Sequence, residues 1–252
     1  MVMVSIHQPN FMPWLKLMAK IVDSDIYVAY DSVQFTRQEF HARQLFRTRS
    51  GEAGWLTAPV VSTGSRQVLN EVRLVTDRDW RTDHLDFLSR HYSSAPCFED
   101  VFALIKDVYG RRHELLVDHN LDLLEQFCRY LGSDVAVVRA SGVPHTGTRE
   151  ERLLDLVRSV GGDAHLTSTS ATHVIDWSGF EACGIPVYVQ DFTHPVYPQD
   201  KLPFLPNLAV ADFLFHSGKA AAGILASCSR AELLTTKPRT RAETTLPVGD
   251  RP

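Results

Sequence analysis

The apolar positions of this chain change period several times, and those changes divide it into elements. Residues 1–6 are a continuous apolar and β-branched run, read as a buried strand that stops at His7, Gln8 and Pro9. Over residues 11–22, Leu15, Met18, Ala19 and Val22 recur at helical spacing, and residues 25–30, DIYVAY, make a second strand that ends at Asp31. Strand, helix, strand in quick succession is a βαβ unit, parallel and right-handed. Such a unit delivers His7 and Asp31 to the same edge of one sheet. Residues 31–75 carry many Arg and aromatic residues and no clean period; they read as an excursion covering that edge, with WLTAPVV and NEVRLV as an antiparallel pair joined by STGSRQ.

Residues 79–131 read as helical. Val101, Leu104, Ile105 and Val108 share one face, as do Leu116, Leu123, Leu124, Phe127 and Leu131. Pro96 separates two of these helices and Gly132 ends the last. Residues 134–140 return to a strand. Thr148 and Glu151 then form a capping box for a helix closed by Gly161 and Gly162. AHLTST and IPVYVQDF are further strands, and residues 207–218 an amphipathic helix. From Ser229 onward the pattern fails. The expected fold is α/β: a central, mostly parallel sheet with flanking helices and a mid-chain helical segment. It is one domain over residues 1–228, followed by a disordered tail over residues 229–252.

Composition narrows the classes of function. Among 252 residues, 44% are apolar and 22% charged, with a net charge of −4. That is ordinary for a globular protein and supplies no general attraction to nucleic acid or to an anionic membrane. No run approaches the ~18 apolar residues of a membrane span, and no signal-peptide pattern is present, so the expectation is a cytoplasmic protein. Cys97, Cys128, Cys183 and Cys228 are far apart and form no CxxC pair, which fits a reducing compartment and excludes a cysteine-rich zinc site.

The candidate chemistry lies in two polar clusters. The first is IHQPNFMPW, with His7 at a strand end beside Gln8 and Asn10, where acid–base and ligand-binding groups are useful. The second is HPVYPQ, in which His194, Tyr197 and Gln199 follow a strand on a Pro-bounded loop. Two such loops at the two ends of one chain suggest one shared site. Asp31 is placed to orient His7 or to bind a hydroxyl. Gln34 and Arg43 suit a carboxylate or phosphate, Arg because its planar fork bonds two oxygens at once. Asp212, on an apolar helix, reads as structural, and Trp14, Trp55 and Trp80 as core. His7, Asp31 and His194 would make a two-His, one-carboxylate set, but no HxxxH or HExxH spacing supports a metal. There is no Walker A loop and no GxGxxG, and no cofactor is identified.

The segments IHQPNFMPWLKLMAKIVDSDIYVAYDSVQFTR and DFTHPVYPQ, the latter followed by FLPNLAVADFLFHSG, resemble the two signatures of the WbqC-like family. WRTDHLDFL, YSSAPCFED and ERLLDLVRSVGG lie between them in the family's order, so the resemblance spans about residues 2–218. Lys16 and Leu17 stand where the family usually has Gly and an aromatic, Ala42-Arg43-Gln44 where it tends to Asn-Arg-Asn, and His216 where it usually has Asn. These departures bear on substrate rather than fold. The family's association with O-antigen, polysaccharide and natural-product gene clusters implies a transferase acting on a small amine or amino sugar, with an acyl or aminoacyl donor. In that reading His7 is the general base, Asp31 orients it, and Gln8, Asn10 and Gln199 hold the substrate or polarise the acyl carbonyl. One alternative is a nucleotidylyltransferase-like enzyme, weakened because no second histidine occurs between His7 and His41. The other is a non-catalytic binding partner in a biosynthetic pathway.

Overall fold

A computed structural model describes residues 1–63, 66–147, 149–200 and 203–235. A six-stranded sheet organises them. In chain order its strands are β1 (Met3–His7), β2 (Ile26–Ala29), β5 (Ala136–Arg139), β6 (Ala164–Ser168), β7 (Val187–Phe192) and β8 (Ser229–Leu233), and they lie in the order β5-β2-β1-β6-β7-β8. Every pairing is parallel except β7 with β8. β3 (Arg43–Arg47) and β4 (Ala53–Thr57) form a separate antiparallel hairpin.

Helices cover both faces, as parallel strands with two buried faces require. One face carries α1 (Leu15–Val22), α2 (Trp80–Tyr92), α3 (Phe98–Gly110), α4 (Leu116–Tyr130), α7 (Val210–Ser217) and α8 (Ala221–Cys228), together with the hairpin. The other carries α5 (Arg149–Ser159) and α6 (Ser178–Ala182), whose Leu156, Val157 and Phe180 pack on Val4, Ile6 and Val28. Alternation along β1 and β2 explains the split. Val4, Ile6 and Val28 point to the second face, while Tyr27 and Ala29 point to the first. No helix among the described residues is long and apolar enough to cross a membrane.

The sheet and the helical faces follow the periodicity. Val101, Ile105 and Val108 are sealed inside α3, as are Leu116, Leu123 and Phe127 on α4. Gly132 ends α4 with a φ of 72°, its N–H donating to the Arg129 carbonyl and that of Ser133 to Cys128. This is the paired bonding of a left-handed helix end.

Three expectations need correction. The first helix starts at Leu15, not at residue 11, because Pro13 disfavours a helical Met12, whose φ is 41°. WLTAPVV and NEVRLV do not form the antiparallel pair; they meet only at a Val60–Leu74 bridge with two flanking backbone bonds. The hairpin lies instead in β3 and β4, and β3 turns Gln44 and Arg47 inward along with Phe46, which hides its period. Finally, residues 229–233 are a strand. β8 offers β7 a backbone ladder from Phe192–Ser229 to Tyr188–Leu233 while only Ser229 is buried, so no apolar period marks it. Residues 236–252 of the expected tail, and Thr148 of the expected capping box, lie outside the described residues.

Gly162 shows how tightly α5 closes on the sheet. A Cβ there would stand 2.2 Å from Val4 Cγ2 and 3.0 Å from the Val157 carbonyl oxygen. Gly162→Ala is therefore expected to destabilise the fold by about 1–3 kcal/mol, as overpacking does. At Gly132 the added methyl meets nothing within 4 Å, and only the left-handed backbone opposes Gly132→Ala, at about 1 kcal/mol. Urea unfolding of the two variants measures both, and equal losses would remove the steric account of Gly162.

Candidate functional site

The parallel register carries His7, Ala29 and Arg139 to one edge of the sheet, at the C-terminal ends of β1, β2 and β5. In open α/β sheets this edge is the usual ligand face. The His7 carbonyl is held by the Tyr27 hydroxyl (3.0 Å) and the Tyr30 N–H (2.8 Å), so the strand end is fixed on two sides. Its ring Nδ1 lies 2.9 Å from the Gln8 carbonyl oxygen. A carbonyl only accepts, so Nδ1 carries the proton and Nε2 carries the lone pair. Burial, reinforced by the Lys20 charge, lowers the His7 pKa to about 3, which keeps the ring neutral. Lys20 is buried in turn, donates to the Ile6 carbonyl at 3.3 Å and is pulled down to about 8.

An aromatic file runs outward from this ring. Trp14 stands edge-on to His7 at 5.7 Å, Phe40 lies 5.0 Å from Trp14, and Trp55 lies 5.9 Å from Phe40. The Arg43 guanidinium sits 4.2 Å over the Trp55 ring and also donates to the Gln38 carbonyl. The file thus joins His7 to Arg43, two residues far apart in sequence. Trp80 is core, as expected. Trp55 is not: it is 45% exposed and, with half-buried Trp14 and Phe40, forms an open apolar strip.

Gln8 is fixed from a distance. Its Oε1 accepts from His41 Nε2 at 2.7 Å, and His41 Nδ1 accepts from the Thr36 N–H. That pairing leaves the Gln8 amide N–H groups as donors. Asn10 is buried, in a loop that Asn120 clamps by donating to the Pro9 (3.2 Å) and His41 (2.8 Å) carbonyls. His41 and Asn120 carry no local sequence signal, since each is defined only by a partner many residues away.

Asp31 does not orient His7. It is fully buried and accepts from Arg139 Nε, the Ser141 N–H and the Ser141 hydroxyl, each at 2.8 Å, while Arg139 also bonds Asp118. It locks the loop after β5 onto the end of β2. Gln34 is exposed and joins Val68 through a backbone bridge, apart from the aromatic file.

The second cluster forms its own network. His194 Nε2 accepts from the Asn207 N–H at 3.1 Å, so Nδ1 is the protonated nitrogen that donates to Pro195 at 2.9 Å. With both nitrogens engaged and the ring packed on Phe192 and Phe204, His194 fixes a loop rather than offering a base. The Tyr197 hydroxyl (2.6 Å) and the Gln199 amide (3.3 Å) donate to Asp212, as does the Tyr92 hydroxyl (2.8 Å). Asp212 is fully buried, and burial raises its pKa. Its structural reading therefore stands, and Tyr197 and Gln199 serve it. The two His-Pro loops do not merge into one site. They are linked by backbone instead, with Val210 N–H donating to Pro13 and Ala209 N–H to Leu45. Among the described residues, no three His, Cys, Asp or Glu side chains converge as a metal site.

Neutral buried histidines make stability depend on acid. His165 donates from Nδ1 to the Val4 carbonyl at 3.0 Å and is lowered to about 3, chiefly by burial. The unfolded chain takes up that proton near pH 6.5 and the folded one only near 3. The stabilisation is thus complete above pH 6.5 and is lost as pH falls through that window, at about 1.4 kcal/mol per pH unit for each such ring. His165→Asn keeps a donor for Val4 and removes the titration. Its unfolding free energy is expected to fall less steeply between pH 6 and 4.5 than that of the wild type. Equal slopes in urea titrations would refute the assignment.

The chain is 27% identical over 227 residues to the uncharacterized protein Rv1507c of Mycobacterium tuberculosis (strain ATCC 25618 / H37Rv), an alignment covering 89% of this chain and 98% of that one. No solved structure matches. The model of the WbqC-like protein family matches residues 8–224, taking in the loop from Gln8 to Trp14, the hairpin, the helical segment and the Asp212 network. The chain belongs to the WbqC-like protein family.

Proposed function

We propose that this chain is a small-molecule transferase that moves an acyl or aminoacyl group onto an amine or amino sugar. It would act in the cytoplasm, in a polysaccharide or natural-product pathway. The observation that carries this reading is the His7 ring: neutral, held by Gln8 through Nδ1, with the lone pair on Nε2, at the C-terminal end of β1. The Trp14–Phe40–Trp55 strip beside it suits the apolar face of a sugar ring, and Arg43 at its far end suits a phosphate or carboxylate. The four cysteines, all free thiols, fit a reducing compartment.

In this mechanism the amine nitrogen attacks the donor's carbonyl carbon, and the carbonyl π pair moves onto oxygen. The Gln8 amide and Asn10 stabilise that oxyanion. The nitrogen of the adduct becomes acidic, so even a weakly basic imidazole takes its proton at Nε2. Collapse of the adduct expels the leaving group, which receives that proton. Asp31 and His194 have no step here; they hold the loops that frame the edge.

The same low basicity favours a second reading, a non-catalytic binding partner in which Nε2 only accepts a hydrogen bond. Turnover separates the two. Wild-type protein is incubated with acyl thioesters or aminoacyl carrier protein and a panel of amino sugars, and products are followed by mass spectrometry. His7→Ala is expected to lower kcat by about 10²–10⁴-fold, and Trp55→Ala to raise KM with little change in kcat. Ligand binding without product from any pair would replace the transferase with the binding partner.

A further inference from the structure

β2 and β5 are parallel neighbours, and the chain leaving each at the C-terminal edge of the sheet brings a polar side chain to the other. After β2 come Tyr30, Asp31 and Ser32; after β5, the loop of residues 140–147 carries His145. Ser32 Oγ lies 3.2 Å from His145 Nε2, and His145 Nδ1 lies 2.9 Å from the Val143 carbonyl oxygen. A carbonyl only accepts, so Nδ1 carries a proton and Nε2 faces the hydroxyl. Both residues are half-buried rather than sealed.

A serine hydroxyl against a histidine whose far nitrogen is fixed by a third group is the arrangement of an activated nucleophile. Nothing else competes for the ring. Among the described residues no ion pair includes His145; the histidines in ion-pair reach of a carboxylate are His113 and His216. Asp31, beside Ser32, is spent on Arg139 and Ser141. Asp155 is spent on the Thr146 N–H at 3.1 Å and hydroxyl at 3.0 Å. No carboxylate therefore holds the ring as a cation, and the neutral ring presents its Nε2 lone pair to the Ser32 O–H.

The base is also fixed in advance. Ser159 donates to the Pro144 carbonyl at 2.7 Å. Arg152 donates to the Gly147 carbonyl at 3.1 Å and to the Tyr30 hydroxyl at 3.4 Å. Asp31–Ser141 and Tyr30–Arg152 thus already join the two segments, so the Ser32–His145 contact is not needed to hold them together. A pair so positioned gives up little freedom when a substrate arrives.

We propose that Ser32 is a nucleophile that takes an acyl group from a thioester or activated ester, with His145 as its general base. Ser32 Oγ attacks the acyl carbon as its proton passes to His145 Nε2. The tetrahedral adduct collapses, the bond from carbon to the leaving sulfur or oxygen breaks, and the leaving group takes the proton from Nε2. An amine or water then attacks the acyl-serine carbonyl; the bond from carbon to Oγ breaks, and the attacking group's proton returns through His145 to Oγ. Acylation of Ser32 does not rest on the role proposed for His7, since the two sites share no residue. Only discharge onto an amine rests on the transferase reading.

The probes are p-nitrophenyl acetate and a fluorophosphonate, read by intact-protein and peptide mass spectrometry. Wild-type protein is expected to release a burst of about one equivalent of p-nitrophenolate and to gain an acetyl group on Ser32. The fluorophosphonate is expected to label the same residue with loss of fluoride. Ser32→Ala is expected to abolish both adducts. His145→Asn keeps a donor for the Val143 carbonyl but removes the base, and is expected to slow acylation by about 10²–10⁴-fold, with urea unfolding confirming that the fold is kept. An unlabelled Ser32, or label confined to other residues such as the cysteines, would overturn the proposal, as would acylation unchanged in His145→Asn. Amino sugars added to the acetylated protein separate this site from the transferase reading. Discharge to water alone keeps Ser32 as the nucleophile and removes transfer to an amine. Transfer to an amine by Ser32→Ala keeps the transferase and removes the acyl-serine.

Discussion

A carboxylate removed from water must be satisfied where it lies, and Asp212 imposes that demand on half of this fold. Its oxygens are met by Tyr92 from α2 and by Tyr197 and Gln199 from the loop after β7, while it sits on α7 itself. Gln199 and the Tyr92 hydroxyl in turn receive bonds from Arg47 at the end of β3. Four segments, spread from β3 to α7, therefore converge because one buried group has to be bonded. Leaving such a group unpaired costs several kcal/mol, so these segments have little freedom to separate. The arrangement also explains why the C-terminal His-Pro loop is so polar: Tyr197 and Gln199 serve Asp212, while His194 is spent on Asn207 and Pro195 within the loop's own surroundings.

The His7 edge is built by the complementary rule. Its polar groups are pinned through the backbone, by Tyr27, Tyr30 and Gln8 around His7 and by Asn120 at Pro9, so that a few side-chain atoms remain unspent. Met12, buried with a φ of 41°, stores strain in the same loop. Strain of this kind persists only where the surroundings over-determine it, and it clusters at ligand-binding segments.

What could be read from the chain was whatever recurs within one element. The βαβ opening, α3, α4 and the glycine ends of α4 and α5 follow from local period and caps. The β3–β4 hairpin was hidden because Gln44 and Arg47 point inward beside Phe46, which breaks the alternation of a half-buried strand. β8 was hidden because its stability comes from a backbone ladder, which leaves no mark on side chains. The site divides in the same way. His7, Gln8 and Asn10 were legible at a strand end, and Asp212 as structural on an apolar helix. The engagement of Asp31 with Arg139 and Ser141 was not, nor was the exposure of Trp55, because both depend on contacts between distant segments.

The position of β1 bears on the order in which the chain acquires structure during synthesis. This strand, made before the others of its sheet, pairs with β2 at once but meets its other neighbour, β6, only after residue 168 has emerged from the ribosome. β7, complete at residue 192, in turn waits until residue 233 for β8. During that interval the nascent sheet has open edges, which are the usual sites of mispairing between chains. Pairings so distant in sequence also slow folding once the chain is free. Yield in a cell will therefore depend on how well those edges are shielded while the second half of the chain is being made.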